Sequence, residues 1–88
     1  MIVMRVKQDE VDVEKMQVYL DLYPLEDQEY LPPSLHVMIL DEDSASVIEA
    51  KAKNDNKAIQ LKLSGAVGEH FSVKITLENF SVIENFVI

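Results

Sequence analysis

The sequence has no cysteine and no tryptophan. Without thiols there can be no disulfide, thiolate metal site or cysteine nucleophile, and the staples of small secreted domains are missing. A reducing, cytoplasmic setting is therefore expected. A sugar-binding sandwich usually offers an indole for stacking, so a lectin-like reading has only the tyrosines to rest on. Glycine is scarce too. Gly65 and Gly68 are the only two, and neither stands in a phosphate loop or a Gly-x-Ser-x-Gly elbow. Ser34 lies two residues from His36, on the same face of an extended segment, but no third group orients the pair as a nucleophile and base. No catalytic residue and no cofactor is assigned. A chain this short seldom encloses the concave pocket that paired carboxylates would need, and an enzyme is not expected.

Positive charge is also in short supply. Eight Lys and Arg stand against sixteen Asp and Glu, a net charge of −8. It divides as −5 over residues 1–33 (three bases, eight acids) and −3 over residues 34–88 (five bases, eight acids). The nearest approach to a basic cluster is Lys51, Lys53 and Lys57, set among acids. Gripping a phosphate backbone needs clustered cations, so neither nucleic acid nor an anionic membrane is an expected partner. Long apolar runs are missing as well. Met1 to Val6 is too short for a signal core or a membrane span, and Arg5 and Lys7 lie at its end rather than before it. No export or anchoring is expected.

What the chain does contain is alternation. With 48% hydrophobic residues in 88, it reads as one folded domain, 1–88, burying about 60–65% of its unfolded surface. Met16, Val18, Leu20 and Leu22 share one face of an extended run, and Gln17, Tyr19, Asp21 and Tyr23 share the other. A first strand lies near Ile2–Val6, separated from the second by the charged segment 9–15. Pro24 ends the second, and a loop follows to Pro33. Strands are further expected at Leu35–Leu40, Val47–Lys53, Ile59–Leu63, Phe71–Leu77 and Val82–Ile88, with turns at Asp41–Ser44, Asn54–Asn56, Ser64–Gly68 and Glu78–Asn79. Val47–Lys53 has a helical rival, since Ala, Glu and Lys favour helix. Such a series predicts a small antiparallel β-sandwich of six to seven strands, because one sheet alone would leave its apolar face wet.

An up-and-down meander of strands three to six would place His36 and His70 at opposite ends, which argues against a paired-histidine metal or acid/base site. The same meander gathers Glu26, Asp27 and Glu29 with Asp55, and these acids are the candidate calcium ligands of a second reading, a calcium-responsive domain. No loop carries the spaced Asp-x-Asp-x-Asp-Gly pattern. The first reading is a non-catalytic interaction module. Its surface candidates are Tyr19, Tyr23, Tyr30, Leu31 and Pro32, since aromatic residues outside the core often anchor protein contacts. An unshielded edge strand would add a second route, and the expected partner is a protein or a second copy of the chain.

The runs Tyr30-Leu31-Pro32-Pro33-Ser34-Leu35, Leu40-Asp41-Glu42, Ile59-Gln60-Leu61, Gly68-Glu69-His70-Phe71-Ser72-Val73 and Glu84-Asn85-Phe86-Val87-Ile88 follow one another in a familiar order. In them the chain resembles a family of uncharacterised cyanobacterial proteins, a domain of unknown function, over about residues 20–88. Members are generally longer, so the resemblance implies a C-terminal β module, with nothing added for residues 1–15. Ser34 stands where that family more often has glycine. The resemblance implies no activity and carries no catalytic residue, and it associates the family only loosely with regulatory or signalling proteins.

Overall fold

A computed structural model describes residues 1–52 and 57–88. Seven strands make up the fold: β1 (Ile2–Gln8), β2 (Lys15–Leu22), β3 (His36–Leu40), β4 (Ser46–Lys51), β5 (Ile59–Ala66), β6 (His70–Leu77) and β7 (Phe80–Val87). They form two antiparallel sheets, β1-β2-β5 and β4-β3-β6-β7. The all-β sandwich expected from the alternation is the fold, and Ser46–Lys51 is strand, not helix.

Period-two patterning positions the core. Val18, Leu20 and Leu22 of β2 pair with Leu63, Leu61 and Ile59 of β5 on one inner face, because directly opposed side chains share a face. Val37 and Ile39 of β3 pair with Ile75 and Val73 of β6 on the other. All of these except Leu63 and Ile75, which are partly buried and pack against the rest, join Leu31, Leu35, Ala52 and Phe71 in one buried cluster. Leu20, Ile39 and Val37 are the most completely enclosed, and each such side chain contributes about 1.5–3 kcal/mol through burial.

Two expectations are corrected. The meander fails, because only β3-β4 stay together as a hairpin while the chain crosses to the other sheet for β5 and returns for β6. An apolar strand beside β2 covers the core from above, and a fifth strand beside β4 would not. The Ser64–Gly68 turn is also too long: Ser64, Gly65 and Ala66 continue β5 because β2 supplies partners in Gln17, Met16 and Lys15. Of the two glycines only Gly68, with φ +96, needs the conformation glycine permits. The 54–56 turn lies outside the described residues. At Asp41–Ala45 the Asp41 carboxylate accepts backbone N–H bonds from Asp43 (2.9 Å) and Ala45 (3.0 Å), which is the turn chemistry its short side chain allows.

Candidate functional site

Strands β4 and β5 approach each other across the two sheets. The other two edges, β1 and β7, both lie on the side of the sandwich away from that approach, without touching each other, and there the core is left open. Ile2 and Val6 of β1 sit opposite the buried Leu22 and Val18, on the core face, yet are 51% and 57% exposed. Phe80 and Val82 of β7 sit opposite Leu77 and Ile75, also on the core face, and are 78% and 57% exposed. Three strands cannot cover four. The result is a row of apolar side chains turned toward the core and wetted at its margin.

The loop 23–35 closes one end of this side. Tyr23 N donates to Met1 O, Gln28 N to Leu25 O and Leu35 N to Pro32 O, so the loop is held by short turns and by the start of β1. Between loop and strands lies a groove of about 740 Å³. Tyr23, Tyr30, Leu31 and Pro32 all line it, joined by Ile2 of β1 and Ile75 of β6. Leu25, 67% exposed, stands at its rim. Four of the five interface candidates thus converge. Leu31, however, is a buried core residue and forms the floor rather than a free surface. Leu25, Phe80 and Val82 were not singled out by the sequence. Alternation marks Val82 as apolar but cannot say that its face has no cover.

Tyr19 lies elsewhere. On the outer face of the three-stranded sheet its ring is flanked by the Arg5 guanidinium at 5.0 Å and the Lys62 ammonium at 5.7 Å, and its hydroxyl donates to Gln17 Oε1 at 2.6 Å. Arg5 Nε also donates to Asp21 Oδ2 at 3.0 Å, a carboxylate that is nearly buried. These contacts hold Tyr19 in a cross-strand cation–π stack, away from the groove.

The acids do not assemble a cation site. Glu29 lines the groove, while Glu26 and Asp27 are exposed along the loop. Among the described residues no group of three or more acid or histidine side chains is placed to hold a metal ion. Asp55 lies outside the described residues. His36 pairs with Thr76, six residues along β6 from His70, roughly 20 Å away at strand rise; the two histidines lie at opposite ends even though the meander is gone. His36 Nε2 is 3.5 Å from Glu49 Oε2 without hydrogen-bond geometry.

Among the described residues, Asp9 is the one carboxylate held far below its usual range. It accepts backbone N–H bonds from Asp12 and Val11 and a side-chain bond from Gln17, which lower its pKa from 3.8 to about 2. The effect is structural, since Asp9 caps the β1–β2 connection.

No helix among the described residues is long and apolar enough to cross a membrane. Residues 1–87 match the model of a family described as "Protein of unknown function (DUF1822)". The match begins at the first residue, so β1 shares in it, whereas the sequence resemblance begins only near residue 20. No curated protein matches, and no solved structure matches.

Proposed function

The chain belongs to the DUF1822 family, which brings no activity with it, and from that premise we propose that it is a non-catalytic module that binds protein through the open side of its sandwich. The observation that carries this reading is the apolar margin formed by Ile2, Val6, Leu25, Phe80 and Val82. Contiguous apolar surface rimmed by polar residues marks interaction sites. The groove adds Tyr23 and Tyr30, each 40% exposed, and a Tyr ring gives a protein partner both apolar area and a hydroxyl. The net charge of −8 favours a protein over nucleic acid or an anionic membrane. A cysteine-free chain suits a cytoplasmic setting.

The test compares the wild-type chain with a Leu25→Ser/Phe80→Ser variant, in which both changed residues are mostly exposed and the core is untouched. Light scattering coupled to size exclusion, together with affinity capture, is expected to show the wild type associating with itself or holding a protein partner in fixed proportion, and the variant losing that association. A wild-type chain that neither self-associates nor retains a partner overturns the reading. Association that survives unchanged in the variant overturns the assignment to this side.

A further inference from the structure

Edge strands normally carry a device against pairing: a charged side chain, above all lysine, a proline, a bulge, an inward-pointing charge or a cover. Edge β1 carries Arg5 and Lys7, β5 carries Lys62, and β4 carries Lys51 and a register shift against β3 between Ile39 and Leu40. Strand β7 has a single charge, Glu84, opposite the buried Val73 on the core face. Its eight residues, Phe-Ser-Val-Ile-Glu-Asn-Phe-Val, hold no Pro, Gly, Lys or Arg, and they pair with β6 without a shift. All but Phe86 are exposed.

The backbone direction is fixed by the end of the strand. Ile88 N donates to Glu69 O at 2.9 Å and Gly68 N donates to Ile88 O at 2.8 Å, so the backbone groups of Ile88 point toward β6. Backbone groups of alternate residues in an antiparallel strand point to opposite sides. With the register unbroken, Phe80, Val82, Glu84 and Phe86 also turn toward β6, and Ser81, Ile83 and Asn85 offer their N–H and C=O groups to the open edge.

Resting on the reading above, we infer that the partner is a second copy of this chain, its β7 pairing antiparallel with β7 in the register that sets Ile83 opposite the second copy's Ile83. That register matches side chains by class in every row except the two that hold Glu84. On the outer face Ile83 meets Ile83, and Asn85 meets Ser81. Ser72 already bonds Asn85, and Thr76 already bonds Ser81 at 3.0 Å, so the pairing joins two polar pairs into one ladder. On the core face Phe86 meets Phe80. Phe71 and Phe86 are already stacked at 5.3 Å, and Phe80 sits opposite Leu77, so an apolar row runs unbroken across both copies. Glu84, the one charge in the strand, falls opposite Val82 and not opposite its own copy. Shifting the centre to Glu84 would oppose two carboxylates and set Ile83 against Asn85. Shifting it to Val82 would set Phe80 against Glu84 and Ser81 against Ile83. Like charges directly opposed are destabilising, and the Val82 shift sets unlike side chains against each other, so the sequence of β7 favours the Ile83 register over both of its neighbours. The two four-stranded sheets then become one.

The absence of cysteine makes the register directly testable. In the Ile83 register, Ile83→Cys brings two cysteines to a hydrogen-bonded pair with Cα atoms about 5.5 Å apart, inside the disulfide range of about 4.4–6.8 Å. Ser81→Cys lies on the same face and is also exposed, but its own copy is four residues displaced, roughly 13 Å along the strand. Light scattering of the wild type is expected to give twice the 10.0 kDa chain mass. Oxidised glutathione is expected to link Ile83→Cys into a covalent dimer and leave Ser81→Cys as single chains. Ile83→Lys, which opposes two ammonium groups, is expected to return the single-chain mass with unchanged far-UV circular dichroism. If that variant fails to fold, the two cysteine variants still decide. Equal linking of both cysteines overturns the register. A wild-type monomer that still holds a protein partner lost on Leu25→Ser/Phe80→Ser overturns self-pairing alone, and a monomer holding nothing overturns the interaction reading with it.

Discussion

Asp9 shows how much a single partly exposed side chain can organise. Its two oxygens accept three hydrogen bonds across the β1–β2 connection, and each favours the ionised form, which is why its pKa falls to about 2. A carboxylate depressed in the folded state contributes stability that is fully present above its unfolded value, 3.8 here, and lost as pH falls through about 2. Asp9→Asn keeps one oxygen acceptor and loses the charge. Its melting temperature is therefore expected to lie below wild type at pH 7, with the gap narrowing as pH is lowered from about 4 toward 2. A pH-independent gap in a thermal titration would mean that the charge on Asp9 contributes nothing. The charged character of segment 9–15 was plain in the sequence. Which acid did the capping was not, because that depends on where Gln17 lies across the hairpin.

At the scale of elements, the glycines separate two causes. In Gly65 of β5 an added Cβ would meet Ile88 Cδ1 at 2.6 Å and Glu69 Oε2 at 3.0 Å. Both contacts are the far ends of side chains that can swing. At Gly68 the space is open, but φ is +96, where a Cβ costs about 1–2 kcal/mol. Gly65→Ala is thus expected to leave stability nearly unchanged while loosening Ile88. Gly68→Ala is expected to lower the melting temperature by roughly 4–16 °C, taking about 4–8 °C per kcal/mol for a domain of this size. Calorimetry on the two variants checks the order, and a larger loss at Gly65 would show that Ile88 is locked and that packing, not backbone conformation, rules this corner. The strands themselves were legible to within about two residues at most ends. The error at Ser64–Ala66 arose because a turn residue continues a strand when a longer neighbour offers it partners.

For the molecule as a whole, charge and edge act against each other. Two copies each carrying −8 repel, whereas the β7 edges hold a single acid apiece. Raising salt shortens the screening length from about 10 Å at 0.1 M to about 3 Å at 1 M, which weakens the repulsion without touching apolar contacts. Self-association is therefore expected to tighten between low and high sodium chloride in sedimentation equilibrium. Weakening with salt would point to an interface held by ion pairs, and against one centred on β7.

The sequence by itself determined that the fold is all-β, which residues of its clearly alternating strands share a face, where most turns fall, and that the chain is acidic. These are local properties, set by alternation and turn chemistry, and they can be read a few residues at a time. Only the tertiary structure decided that β5 leaves β4 to join β2, and from that one crossing the rest follows. With three strands set against four, β1 and β7 share an open side, Leu31 goes under while Leu25 stays out, and Tyr19 is parted from Tyr23 and Tyr30. Whether an apolar face is covered depends on which distant strand lies above it, and no local pattern carries that information.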